Sequence, residues 1–253
     1  MENRANSLNI FGPCALESYS QIEPVAALLS RHKIKYIRTQ LFKPRTNPDS
    51  FQGLGIDGLE ILKKLRETYS SDDLKFVCEA CSLDQLDIIA PWAAIIQIGA
   101  RNMQNFELLK AVGKKMSEQN DYVLLKRGFA NTVEEWLESA RYLTQGGVPK
   151  EKIILCERGT RSVTSPTGVQ MDFIAALAAK KAGYKVILDP SHGSKKAEYV
   201  IPLANASLAL KLDGVMVECH PNPKESVSDA AQALSLNETE LFIQESLHST
   251  ANN

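Results

Sequence analysis

Apolar and polar positions vary along this chain on two length scales. Eight short, nearly unbroken apolar runs recur: "LNIFGPC" (8–14), "KYIRTQLF" (35–42), "KFVCEA" (75–80), "AIIQIGA" (94–100), "YVLLKRG" (122–128), "KIILCERG" (152–159), "YKVILDPSH" (184–192) and "GVMVECHP" (214–221). Runs of this length, bounded by polar and turn residues, read as buried strands. Between them the apolar residues fall three and four apart, the spacing of helices, in "SYSQIEPVAALLSRHK", "GIDGLEILKKLRETY", "NFELLKAVGKKM", "NTVEEWLESARYLTQGG", "MDFIAALAAKKAG", "AEYVIPLANASLALKL" and "ETELFIQESLHS". Ser20 with Glu23 and Thr132 with Glu135 have the spacing of capping boxes at two helix starts. Strands that alternate with helices imply a parallel sheet, because every crossover must span the length of the sheet. Eight such units fit a single (β/α)8 barrel. A doubly wound open sheet is the alternative, but no glycine-rich fingerprint follows the first strand. No linker, low-complexity stretch or composition shift divides residues 1–253, which therefore read as one domain.

Composition narrows the function classes. Lysine and arginine number 29 against 30 acidic residues, and a net charge of -1 excludes a chain held to nucleic acid by bulk electrostatics. No apolar run approaches the roughly 18 residues that a membrane span needs. The N-terminal "MENRANSLNIFGPC" lacks the apolar stretch of a secretory signal. Five cysteines, at 14, 78, 81, 156 and 219, are scattered and odd in number, which fits a reduced, cytoplasmic protein. "CEAC" (78–81) lies on a strand rather than at a helix start, and reads as core packing before redox chemistry.

The chemistry collects where the strands end. In a (β/α)8 barrel the active site lies at the C-terminal ends of the strands. Those ends carry Cys14, Arg38 with the following "KPRT", Glu79, Arg101, Lys126 with Arg127, Glu157 with Arg158, Asp189 with His192, and Glu218 with His220. One shared pocket explains so many coincidences better than eight unrelated strand exits. Arg38, Lys43, Arg45, Arg101, Lys126 and Arg158 form a cationic set, suited to phosphate and carboxylate oxygens. Converging on one mouth, they would repel one another unless they hold polyanions. Cys14, His192, Glu218 and Asp229 have metal-ligand chemistry, and a mixed sulfur, nitrogen and oxygen set favours a divalent transition ion over magnesium or calcium. Asp229 also stands where it, or Ser228, could simply cap a helix.

These residues resemble a known family, the 3-deoxy-D-arabino-heptulosonate 7-phosphate (DAHP) synthases, in the shorter bacterial form related to 3-deoxy-D-manno-octulosonate 8-phosphate (KDO8P) synthase. The motifs that carry the resemblance are "GPCALES", "R-TQLF-KPRT", "FQGLG", "QIGARNMQNFELL", "LLKRG", "ILCERG", "DPSHG" and "GVMVECHP". "KPRT" discriminates, because KDO8P synthases usually carry a "KANRS"-like segment there. The resemblance implies a (β/α)8 barrel that condenses phosphoenolpyruvate with erythrose 4-phosphate and releases phosphate, the first step of the shikimate pathway. By its pattern Cys14, His192, Glu218 and Asp229 would hold a divalent ion of the Mn, Fe, Co or Zn type. Arg38, Lys43, Arg101, Lys126 and Arg158, with Glu79 beside them, would bind phosphoenolpyruvate. Arg45 and Thr46 would bind the sugar phosphate, and Lys43 would be a proton donor to the new hydroxyl. It further implies a homo-oligomer, dimer or tetramer, and a separate chorismate mutase as a candidate partner. KDO8P synthase and a catalytically silent paralogue acting as a regulatory subunit are the competing readings.

The chain departs from the family in two places. Thr39 and Gln40 stand where relatives commonly have two glycines, so the pocket floor needs extra room. "TRSVTSPTGVQMD" (160–172) replaces the usual Thr-Arg-Asn-Thr pattern and bears on sugar-phosphate binding or a subunit contact. Family members often carry a regulatory or chorismate mutase domain fused to the barrel, and the strands and helices read here leave no length for one of even about 50 residues. The expectation is that phenylalanine, tyrosine and tryptophan do not inhibit the purified chain. Saturable inhibition at sub-millimolar concentration would reveal an effector site within the barrel.

Overall fold

Each apolar run of the sequence becomes a strand of one closed parallel barrel. The computed structural model describes residues 8–116 and 120–248. The strands are β1 (Ile10–Gly12), β2 (Tyr36–Arg38), β3 (Lys75–Glu79), β4 (Ala93–Ile98), β5 (Tyr122–Lys126) and β6 (Ile153–Glu157). A short antiparallel hairpin follows, β7 (Thr160–Arg161) with β8 (Val169–Gln170), then β9 (Lys185–Leu188), β10 (Gly214–His220) and a two-residue β11 (Leu234–Ser235). β1 to β6, β9 and β10 lie in chain order around the barrel, and β10 returns to β1 with Ile10 opposite Met216 and Gly12 opposite Glu218.

Helices α1 (Tyr19–Arg31), α2 (Gly58–Thr68), α3 (Leu83–Ile89), α4 (Phe106–Lys115), α5 (Val133–Gln145), α6 (Phe173–Lys181), α7 (Pro190–Ser194), α8 (Ala197–Ala209) and α9 (Leu236–Phe242) fill the crossovers. Thr132 and Glu135 form the expected reciprocal box at the start of α5. The box expected at Ser20 is not formed. Ser18, in extended conformation, caps α1 by accepting from the Gln21 N–H, so the helix starts earlier. Glu23 instead accepts a hydrogen bond from the Tyr69 hydroxyl. Helix α3, absent from the sequence reading, has only seven residues and is capped by Ser82. Among the described residues no helix is long and apolar enough to cross a membrane. The expectation about the N-terminal leader rests partly on residues 1–7, outside the described residues.

The period of two along each strand sorts the chemistry into layers. Ile10, Tyr36, Val77, Ile95, Leu124, Ile154, Ile187 and Met216, one from each barrel strand, belong to one apolar cluster that fills the barrel. Their neighbours Phe11, Ile37, Phe76, Ile96, Val123, Leu155, Val186 and Val217 belong to the cluster packed against the helices. Two residues beyond the interior layer, on the same inward face, come Gly12, Arg38, Glu79, Gln97, Lys126, Cys156, Asp189 and Glu218. Polar residues sit there because the core below is already closed and the mouth opens above. Gly12 is required at its place. Its φ is +146°, and a Cβ there would lie 2.8 Å from the Arg38 backbone.

Candidate active site

The ends of β1, β9 and β10 bring the four expected donors together. Ligand atoms of Cys14, His192, Glu218 and Asp229 all lie within 4.8 Å of one another. Cys14 Sγ is 2.8 Å from Asp229 Oδ2, and His192 Nε2 is 3.5 Å from Glu218 Oε1. Asp189, at the end of β9, accepts from the His192 backbone N–H and lies 2.8 Å from its Nδ1. That contact places the ring proton on Nδ1 and turns the Nε2 lone pair toward the other donors. Glu218 is fully buried, which would raise its carboxyl, but His192 and the Arg38 guanidinium at 2.6 Å hold it down at about 2. Asp229 is likewise held well below the carboxylate range, against its burial, by Lys43 and His192. Burial and the neighbouring Glu218 push the Cys14 thiol far up. A divalent cation inverts that last preference, since a coordinated thiol ionises. A thiol, an oriented imidazole and two ionised carboxylates in one cluster fit a borderline transition ion.

Asp229 does not cap a helix, the second reading of its position. It adopts a left-handed conformation, φ 52°, and its side chain makes no capping hydrogen bond. The loop before it is clamped by Glu17, whose Oε1 accepts from the Ser226 hydroxyl and the Val227 N–H. His220, beside Glu17, accepts from the Asn222 N–H through Nδ1. Its Nε2–H therefore faces Glu17 at 3.4 Å.

Above the donors opens a cavity of about 690 Å³, lined by ten of the twelve expected site residues: Arg38, Lys43, Arg45, Thr46, Glu79, Arg101, Lys126, Arg158, His192 and Asp229. Cys14 and Glu218 are buried beneath it. The cations are not all free to repel one another. Arg38 pairs with Glu218 at 2.6 Å, Lys126 with Asp189 at 2.6 Å, and Lys43 with Asp229 at 3.2 Å. Lys43 also donates to Cys14 Sγ at 2.6 Å, and Cys14 with the carboxylates of Glu218 and Asp229 pushes its pKa up despite its burial, so it stays protonated. Among the described residues no ion pair involves Arg101 or Arg158. Arg101 donates to the Thr46 hydroxyl and Arg158 to the Gly159 carbonyl.

Arg127, Glu157 and His220, also at strand ends, belong neither to the donor cluster nor to the cavity lining. Arg127 turns outward to Glu157 and Asp172, both at 2.9 Å, and His220 serves the Glu17 clamp. The cavity also takes in residues that the sequence reading missed, among them Phe129, Arg161 and Lys195. All three lie two or more residues past a strand, so extending the strand-end rule a few residues would have found them. Thr39 and Gln40 are fully buried and line no part of the cavity. Thr39 Oγ1 contacts Cys78 Sγ at 3.3 Å, which confirms Cys78 as a packing residue. Cys81 is partly exposed beside Glu79.

A closed (β/α)8 barrel with clustered metal donors and a cationic mouth defines an enzyme that acts on anionic substrates. The chain belongs to the DAHP synthetase I family, whose sequence model matches residues 3–251. It is 42% identical over 237 residues to a phospho-2-dehydro-3-deoxyheptonate aldolase of Thermotoga maritima, covering 93% of this chain and 68% of that relative. A 2-dehydro-3-deoxyphosphooctonate aldolase of Fusobacterium nucleatum is more distant, 30% identical over 256 residues, with 93% and 87% covered. The crystal structure of a Thermotoga maritima DAHP synthase superposes with a TM-score of 0.85 at 41% identity, covering 94% of this chain and 67% of that one.

Proposed function

We propose that this protein is a DAHP synthase that joins phosphoenolpyruvate, erythrose 4-phosphate and water to give DAHP and inorganic phosphate. The observation that carries the reading is the joining of a four-donor cluster to a mouth whose cations exceed its fixed acids. Greater identity to the heptulosonate enzyme than to the octulosonate one, together with "KPRT", favours erythrose 4-phosphate over arabinose 5-phosphate.

Cys14, His192, Glu218 and Asp229 would hold the divalent ion, which supplies Lewis acidity toward an aldehyde oxygen when bound. The remaining chemistry belongs to the chain. Arg38, Lys43 and Lys126 suit the carboxylate end of phosphoenolpyruvate, and Arg101 with Arg158, free of carboxylates, suits its phosphate. Arg45 and Thr46, on the loop after β2, suit the second phosphate, which aligns the two carbon atoms to be joined. Lys43, held as an ammonium, is placed to donate a hydrogen bond or a proton to the oxygen that becomes the new hydroxyl. Glu79, fixed by the Gln97 amide, lines the same cavity as the phosphoenolpyruvate cations.

A cytoplasmic setting belongs to the same reading, since Cys14 must stay reduced to act as a ligand. Self-association, as a dimer or tetramer, is supported by Ile174 and Leu177, exposed one turn apart on α6. Control through a separate chorismate mutase belongs to the same reading.

Phosphate release from phosphoenolpyruvate plus erythrose 4-phosphate, with and without a chelator, tests the proposal. No metal-dependent release with either aldose phosphate would refute it in favour of a silent paralogue, and preference for arabinose 5-phosphate would reassign the substrate. Arg45→Ala is expected to raise the KM for erythrose 4-phosphate about tenfold or more, the loss of one charge-assisted contact. Its KM for phosphoenolpyruvate should stay near wild type. Equal losses for both would mean that the two phosphate sites are misplaced.

A further inference from the structure

Three guanidinium groups from three separate elements gather around one aromatic ring. Arg101 lies 5.4 Å from the centroid of the Phe129 ring, Arg158 lies 5.1 Å from it, and Arg161 lies 5.4 Å from it. Cations at this range are drawn to the electron-rich face of an aromatic ring. Like charges converge nowhere without a reason, and here no direct carboxylate partner supplies one. Among the described residues no ion pair involves any of the three. The rest of the mouth differs, since Arg38, Lys43 and Lys126 each face a fixed acid.

Arg161 is built into this place by the hairpin. Its backbone N–H donates to the Phe129 carbonyl at 2.7 Å, so Phe129 holds both the main chain and the side chain of the same residue. Gly159, at φ +83°, makes the turn from β6 into the hairpin, and a Cβ there would lie 3.1 Å from the Gly193 Cα. The hairpin is therefore docked on α7, and both Arg161 and Val169 face the cavity from it. Arg158 is almost fully buried, with a neutral carbonyl as its hydrogen-bond acceptor. A buried guanidinium with no carboxylate in ion-pair contact, flanked by two more, is suited to an anion.

We propose that Arg161, seated on Phe129, is a third guanidinium for the phosphate of phosphoenolpyruvate, beside Arg101 and Arg158. The proposal rests on the DAHP synthase reading, because it takes the phosphate end of that substrate as its ligand. It gives the divergent segment 160–172 a task on the phosphoenolpyruvate side of the pocket rather than the sugar-phosphate side. Phe129 is a positioning residue: its ring spaces the guanidinium groups, and its carbonyl pins the strand that carries the third.

The test compares the wild type with Arg161→Gln, Arg161→Lys and Phe129→Leu. It uses calorimetric titration of phosphoenolpyruvate without any aldose, inhibition by inorganic phosphate, and steady-state kinetics for each substrate. Arg161→Gln should weaken phosphoenolpyruvate by about tenfold to a hundredfold, and inorganic phosphate in step. The KM for erythrose 4-phosphate should be unchanged, and Arg161→Lys should recover part of the loss. Phe129→Leu, which keeps apolar bulk but removes the ring, should shift the same two constants in the same direction. Unchanged phosphoenolpyruvate affinity in Arg161→Gln with a wild-type melting curve would overturn the proposal, as would a loss confined to erythrose 4-phosphate. If Arg161→Gln does not fold, Arg161→Lys and Phe129→Leu decide by the same constants. Wild-type protein that binds no phosphoenolpyruvate would instead bring down the functional reading itself, and this one with it.

Discussion

Cys14→Ala is expected to yield a folded barrel that has lost its metal-dependent turnover. The thiol belongs to neither apolar cluster, and its Sγ touches Lys43 and Asp229. Removing it deletes one of four donors and the only soft one. Loss of a residue that merely supports a ligand lowers metal affinity about 10–100-fold, so loss of the ligand itself should exceed about 100-fold. Titration of the purified variant with Mn²⁺ or Co²⁺, followed by calorimetry, reads this directly and apart from catalysis. Full activity in metal-stripped buffer, or wild-type affinity for the ion, would remove Cys14 from the site. Circular dichroism should show the unfolding transition of the wild type within a few degrees.

Arg38→Ala should have the opposite signature, with stability falling first. Arg38 and Glu218 are both buried, their contact is 2.6 Å, and Arg38 also donates to the Cys14 carbonyl. Truncating the arginine leaves an ionised carboxylate in the barrel with the Gln232 amide as its remaining donor outside the cluster. Breaking a buried pair in this way destabilises by about 3–5 kcal/mol. A cation held by Glu218 would replace the missing charge. Denaturant unfolding should therefore show the full loss in chelator and a smaller one with saturating Mn²⁺. A variant equally stable in both conditions would show that Glu218 does not face the ion.

The eight strands could be read from the sequence because a strand covered on both faces has no polar positions to disguise it. The site could be read largely for the same reason: where an apolar strand such as Val186–Leu188 gives way to Asp189 and His192, only the barrel mouth can accept them. Much of what escaped was short or lacked charge. The strands of the hairpin have two residues each, too few to express any period. Helix α3 offers only two turns, and Phe129 reads as core when its partners are unknown. The Ser20 box failed because Ser18 competes for the same helix end, two residues earlier. Pairing of Arg38, Lys43 and Lys126 with fixed acids was hidden as well, since those acids lie up to 186 residues away in sequence.

The seam between β1 and β10 has a consequence for how the protein comes to exist. Cys14 emerges first and then waits for partners separated from it by as many as 215 residues. A nascent chain that has reached the end of α7 possesses Cys14 and His192 but neither carboxylate donor. Such long-range closure is the slow part of folding, because its entropy must be lost before any contact rewards it. Here the strand that seals the barrel, β10, also delivers Glu218, and the loop after it delivers Asp229. Assembly of the four-donor cluster thus waits until β10 and the loop after it have been made. A full-strength ion site, observed during refolding, would date the moment when β1 and β10 meet.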